Sequence, residues 1–224
     1  MTKMKTLALL PLLVLCFAAH ADEREWIPYK KLVGDLRMDK YYAIPAAQRD
    51  KLNLFVTVKP ANPAIKPADV VLTLVDGSER KLLTPLSPEY RMTLVPNATW
   101  LADDARIMTS LPKEEKSAAG WDITTPLPDG LSWQYATVMG SVQQANGAIK
   151  TMAGMLSMFA PSVKVVVFKF ASPAQLKVDS KDGSKLYTSD ARHQIRLKPD
   201  AAWLKENPLV QLSQRPLEAE LDSE

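Results

Sequence analysis

The chain has 224 residues, with 28 basic and 25 acidic side chains, a formal net charge of +3, two histidines and one cysteine. That balance excludes the basic stripe that a nucleic-acid surface needs. A single cysteine excludes an intrachain disulfide and a cysteine-based zinc site, and neither a glycine-rich phosphate loop, a G-x-S-x-G elbow nor an H-E-x-x-H helix occurs.

Lys3 and Lys5 precede an apolar run from residue 7 to residue 19, and Ala19-His20-Ala21 is a small-x-small cleavage signature. Residues 1–21 therefore read as a secretory signal peptide, cut before Asp22, which sends the mature chain to the periplasm of a bacterial envelope. The run is too short to span a bilayer, and no transmembrane segment is expected after it. Leu15 stands before Cys16, where lipoprotein processing requires a small residue. Cleavage removes Lys3, Lys5, Cys16 and His20, lowers the charge to about +1 and leaves His193 as the sole histidine of a cysteine-free chain. Without disulfides, such a protein depends on its apolar cores.

Past the leader, Tyr29, Leu32, Val33 and Leu36 have the i, i+3, i+4, i+7 spacing of a short amphipathic helix. Five strand-like runs follow, over 52–58, 69–75, 81–86, 90–95 and 105–111, with Asp76-Gly77 as a turn between two of them. This set makes a first module over 23–115. Residues 116–130 hold two prolines and two glycines and read as a linker.

A second helical pattern spans roughly 134–159 on the apolar positions Val138, Met139, Val142, Ala145, Ile149, Met152, Met155, Leu156 and Phe159, and Pro161 stops it. Strand-like runs come next over 163–170, 174–179, 185–189, 193–198 and 208–213, with Asp182-Gly183 as a turn. They give a second module over 131–219 and a disordered tail over 220–224. The order of elements repeats, and so do the words. "RMTLVPNATWL" at 91–101 and "QIRLKPDAAWL" at 194–204 agree at five of eleven positions, including Pro96/Pro199, Trp100/Trp203 and Leu101/Leu204. Tyr29 to Leu36 answers Tyr135 to Val142, and Lys81 to Thr84 answers Lys185 to Thr188. The expected fold is α+β and mostly β. It consists of two tandem repeats, each a short helix on a small antiparallel sandwich or curled sheet, with a longer Met-rich helix opening the second.

Trp100 and Trp203 carry the shared core reading, with Tyr29, Tyr135, Gly77 and Gly183 as the other structural positions of the repeat. After a strand ended by Pro96 or Pro199, Asn97 or Asp200 caps a short turn, and the indole folds back on the sheet. Paired exposed indoles that stack on sugars or peptides are the alternative. Met152, Met155 and Met158 offer soft ligands for Cu(I), and copper handling follows from that. The plainer reading puts them on a packed or partner-binding face over 138–159, because methionine fills irregular apolar gaps. His193 sits in an alternating strand and reads as solvent-facing. An envelope hydrolase built on distant carboxylates is a third function class. No cofactor is implied and no catalytic set can be assembled. The leading expectation is a non-enzymatic binding or scaffolding protein with a protein partner in the envelope.

Leu197-Lys-Pro-Asp200, Trp203-Leu204 and Asn207-Pro208 before an apolar strand are similar to the closing part of an uncharacterised periplasmic domain family of proteobacteria. Tyr135 to Val142 resembles that family's opening helix. Copy one has Asp104-Ala105 where the family has Asn-Pro. The family has no established activity, so the resemblance implies an exported module of helix and strands and no reaction.

Overall fold

Tyr29, Leu32 and Val33 form the buried side of a helix of about two turns, and most of what surrounds them is built from short antiparallel strands. The structure is a computed structural model and describes residues 23–154 and 161–224. The first half runs β1 (Arg24–Pro28), α1 (Tyr29–Asp35), α2 (Met38–Ala43), β2 (Asn53–Pro60), β3 (Leu72–Asp76) and β4 (Glu79–Leu82). It continues through β5 (Arg91–Met92), α3 (Ala98–Ala102), β6 (Arg106–Thr109) and β7 (Ser117–Thr124). The second half runs β8 (Ser132–Gln134), α4 (Tyr135–Met139), α5 (Ser141–Ala153), β9 (Val165–Lys169) and β10 (Gln175–Ser180). It ends with β11 (Gly183–Thr188), β12 (Gln194–Leu197), α6 (Ala201–Glu206), β13 (Leu209–Leu212) and β14 (Glu218–Asp222).

The fold is α+β and mostly β, with three antiparallel sheets. One four-stranded sheet has the order β1-β6-β3-β4 and the other β8-β13-β10-β11, so corresponding strands hold corresponding places. The third sheet has six strands in the order β5-β2-β7-β14-β9-β12. Each half gives it three strands, and β7 meets β14 at its centre, with Glu220 opposite Thr124.

Each half has its own core. In the first, Leu72, Leu74 and Ile107 of the small sheet face Val56, Val58 and Met92 of the large one, with Tyr29, Leu32 and Val33 between them. In the second, Leu176, Val178 and Val210 face Val166, Phe168 and Ile195, with Tyr135, Val138 and Met139 in the corresponding place. A third cluster joins the halves: Tyr41 and Ile44 at α2, Leu52 just before β2, Leu54 and Ile123 on the large sheet, and Ala145, Ala148 and Met152 of α5. The seam is also pinned by Gln144, whose amide oxygen accepts from Lys51 N at 2.9 Å and whose amide nitrogen donates to Asp50 Oδ1 at 2.6 Å.

Several expectations are corrected by this arrangement. Residues 116–130 are not a linker throughout, since β7 fills Ser117–Thr124 and only the segment after it connects the halves. Gly120 belongs there for a packing reason: a Cβ would lie 3.0 Å from Thr57 Oγ1 on β2. Residues 220–224 are not a disordered tail, because Glu218–Asp222 is an inner strand paired with Val165–Lys169. The expected helix over 134–159 is broken at Gly140 into α4 and α5 and ends at Gly154, with φ of +56°. At the break, a side chain on residue 140 would put Cβ 2.7 Å from the Ala136 carbonyl oxygen. The two Asp-Gly pairs do not occupy the same turn position. Gly77 opens a two-residue loop between Asp76 and Glu79, whereas Gly183 is the first residue of β11, opposite Ser180. Among the described residues no helix is long and apolar enough to cross a membrane.

Candidate functional site

The densest group of ionisable side chains lies where the halves meet on the large sheet. Its centre, Arg91, follows a turn in which Ser87 Oγ accepts from the backbone N–H groups of Glu89 and Arg91, each at 3.2 Å. Tyr90 takes the left-handed conformation there, with φ of +63°. The same turn recurs in the second half, where Asp190 Oδ1 accepts from Arg192 N and Gln194 N and His193 has φ of +58°. Gln194 thus stands where the first half has Arg91.

Arg91 is 6% exposed. Its Nε donates to Asp122 Oδ2 at 2.7 Å, one terminal nitrogen donates to Glu220 Oε1 at 3.0 Å, and the other donates to Glu218. Lys169 on β9 pairs with Glu220 and lies 3.6 Å from Glu218 Oε2. The Arg91 guanidinium carbon stands 5.7 Å from the Phe55 ring centroid, within cation–π range. Burial works against the charge on Arg91, but Asp122 and Glu218 outweigh it and raise its pKa further. Glu218 is raised, first by burial and then by Glu220 beside it, against the pull of Arg91. Burial also pushes Glu220 upward, yet the Lys169 ammonium holds it below the usual carboxylate range. Two cations and three carboxylates leave one negative charge in excess.

Beside this cluster opens a groove of about 460 Å³, lined by the apolar side chains of Phe55, Leu83, Leu86 and Met92 and by the charged groups of Glu89, Arg91 and Glu218. A nucleophile with a free base would be the mark of turnover. The serine hydroxyl of the groove, Ser87, donates to Glu89 at 2.8 Å and accepts the two turn amides. Among the described residues no three His, Cys, Asp or Glu side chains are placed to hold a metal. The arrangement pairs its charges internally with one carboxylate in excess and can hold a ligand at its edge.

Trp100 and Trp203 are half-buried and pack against the two cores rather than inside them. Each indole meets a buried tyrosine edge-on: Tyr29 with Trp100 at 5.6 Å and 90°, Tyr135 with Trp203 at 5.4 Å and 82°. The tyrosine hydroxyls do matched work. Tyr29 donates to Val95 O at 3.3 Å and accepts from Asn97 N at 2.9 Å, while Tyr135 donates to Lys198 O at 3.3 Å and accepts from Asp200 N at 3.0 Å. The caps read from sequence are present, with Asn97 accepting from Thr99 N and Trp100 N, and Asp200 from Trp203 N. Lys81 lies over the Trp100 ring at 4.9 Å and Lys185 over the Trp203 ring at 5.9 Å. One face of each indole is therefore taken by an ammonium group rather than offered to a sugar.

The apolar face over 138–159 is core at its described positions, Val138 to Met152, which leaves no partner-binding surface over that stretch. Val138, Met139, Val142, Ala145, Ile149 and Met152 are all buried, and Met152 packs in the cluster that joins the halves. Met155 and Met158 lie outside the described residues. His193 is not a solvent-facing strand residue, for it holds the left-handed turn position and its Nδ1 is buried. Sequence reasoning missed Arg91, Asp122, Lys169, Glu218 and Glu220. Strand alternation does put Glu218 and Glu220 on one face, but nothing local says that β14 pairs with β7. Compared with family models, with curated proteins and with solved structures, the chain matches none.

Proposed function

We propose that this chain is an exported, non-catalytic binding protein of a bacterial envelope, built by tandem duplication of one module and carrying a ligand groove beside the seam. The leader over 1–21 supports export. The duplication is supported by the equal strand order, the paired Tyr–Trp contacts and the shared left-handed turn. The observation that carries the binding reading is the groove itself, with apolar walls and two carboxylates, Glu89 and Glu218, against the single cation of Arg91, next to a cluster whose carboxylates outnumber its cations by one. Such a lining suits a ligand that joins an apolar body to a cationic group.

Isothermal titration with octylammonium, octanol and octanoate tests this. Octylammonium binds and the other two do not, and Glu218→Gln weakens its binding about tenfold, the loss of one charge-assisted contact. Equal binding of all three probes, or no heat from any, overturns the ligand reading. Fractionation of a tagged chain tests export. The expected product is periplasmic, with an intact mass corresponding to a start at Asp22, and an uncut cytoplasmic chain overturns it.

A further inference from the structure

A second cavity, of about 180 Å³, adjoins the groove. Phe55 and Thr93 line both, so the two share a wall on β2 and on the segment that follows β5. Their chemistry is opposite. The groove holds Glu89 and Glu218 against Arg91, one negative charge in excess. The smaller cavity is lined by Tyr41, Tyr42, Arg49 and Asn53 and by no acid. Burial raises both phenols and the Arg49 charge opposes that rise, so they stay neutral at pH 7. The cavity therefore carries a single positive charge.

Arg49 is held in place without an acid. Its Nε donates to the Ile44 carbonyl at 3.0 Å, and its guanidinium carbon stands 5.5 Å from the Tyr41 ring centroid and 5.2 Å from that of Tyr42. The two rings meet edge-on at 5.2 Å and 84°, and Tyr41 is buried in the cluster between the halves. Arg91 meets three acids, whereas among the described residues Arg49 meets none. Its neighbour Asp50 accepts instead from the Gln144 amide. Anchored through Nε, the guanidinium keeps its terminal nitrogens for a planar acceptor, and a carboxylate matches that fork with two parallel bonds. One positive charge suits a carboxylate better than a doubly charged phosphate.

Building on the ligand reading of the groove, we infer that the groove and this cavity form one site for an ω-amino carboxylate. Its ammonium lies at Glu89 and Glu218, its carboxylate at Arg49, and its aliphatic chain along Phe55 between them. The charges select a zwitterion: one excess negative charge in the groove and one positive charge in the cavity match a ligand that carries both. A cationic amphiphile fills the groove and leaves Arg49 in water. A fatty acid of the same length reaches Arg49 but lays an uncharged tail against two carboxylates, whose desolvation offsets the gain.

Isothermal titration with 8-aminooctanoate beside octylammonium, which has the same carbon chain and no carboxylate, tests this. The 8-aminooctanoate binds about tenfold tighter, the gain of one charge-assisted contact. Arg49→Gln abolishes that gain and leaves octylammonium's own affinity and the circular dichroism spectrum unchanged. Arg49→Lys, which keeps the charge and loses the fork, retains part of it. Octylammonium binding with 8-aminooctanoate no tighter overturns the inference and leaves the groove reading standing, as does equal weakening of both probes by Arg49→Gln. No heat from either probe overturns both. The two probes on the unaltered protein decide the matter even where Arg49→Gln fails to fold.

Discussion

Replacing Arg91 by glutamine, the residue that occupies the matched position 194, tests whether the charged cluster holds the halves together. The substitution keeps the backbone turn, because Ser87 and not the arginine side chain holds it. It removes the one group that contacts Asp122, Glu218 and Glu220 together. Breaking a buried pair from one side costs about 3–5 kcal/mol. The three carboxylates keep 35%, 23% and 27% of their surface in water, which takes the expected loss to the lower end, about 3 kcal/mol at pH 7. The penalty is electrostatic, so acid must relieve it. Glu220 is held low in the folded protein, and its contribution is present above the usual carboxylate range and lost as pH falls through its folded value. Glu218 is held high, so its ionisation subtracts stability as pH rises through its range. Without Arg91, Glu218 loses the cation that opposes its rise, so acid neutralises it more readily and relieves part of the penalty. Urea unfolding followed by tryptophan fluorescence at both pH values measures the difference. The expected deficit is about 3 kcal/mol at pH 7 and smaller at pH 4. A deficit below 1 kcal/mol at pH 7, or one that does not change with pH, refutes the reasoning.

Tyr29→Phe and Tyr135→Phe each strip one hydroxyl of a donated and an accepted backbone bond, so each should lower stability by about 1–2 kcal/mol in denaturant unfolding, and by similar amounts in the two halves. The Tyr135 phenol is pushed up to about 12, mainly by burial. An acid whose folded value is raised loses stability as pH climbs past its unfolded value, so spectrophotometric titration should show this ring ionising last, between pH 10 and 12, as the protein begins to unfold. Met152→Ala opens a cavity in the cluster between the halves and should cost about 2–4 kcal/mol, whereas Met152→Leu should cost less than about 1.5 kcal/mol. Thermal unfolding separates the two, and equal losses would show that sulfur rather than volume matters at this position. Asn97→Ala and Asp200→Ala each remove a helix cap and should cost about 1 kcal/mol, read as a fall in melting temperature.

Local chemistry was legible in the residues. The Asn97 and Asp200 caps and the apolar spacing of Tyr29 to Val33 depend on neighbours in sequence and are found where the pattern puts them, whereas β5 and β12 stop at Met92 and Leu197, short of Pro96 and Pro199. Distant pairing was not. Ala118, Ala119 and Gly120 look like linker residues because they are small, yet Gly120 is small because β2 passes close to it. The acids at 218, 220 and 222 look like a solvated tail until Arg91, Lys169 and Arg196 are brought opposite them. Helical periodicity carried through Gly140 because apolar positions continue on both sides, although Val138 and Met139 face the second core and Ala145, Ala148 and Met152 the cluster between the halves. Residue 140 is glycine because a Cβ would crowd the Ala136 carbonyl. The candidate site combines residues from β5, β7, β9 and β14, and its geometry arises when those strands meet.

The pairing of β7 with β14 makes the covalent join between the halves almost redundant. Thr125 N donates to Ala219 O at 3.0 Å just before the chain turns away through Pro126, Pro128 and an Asp129 side chain that is fully exposed. A protease that nicks this exposed stretch cuts the polypeptide in two, but the fragments remain stitched by backbone hydrogen bonds, by the ion pairs of Arg91 and by the apolar wedge around Met152. Such a nicked molecule should travel as one particle under native conditions and come apart only in denaturant.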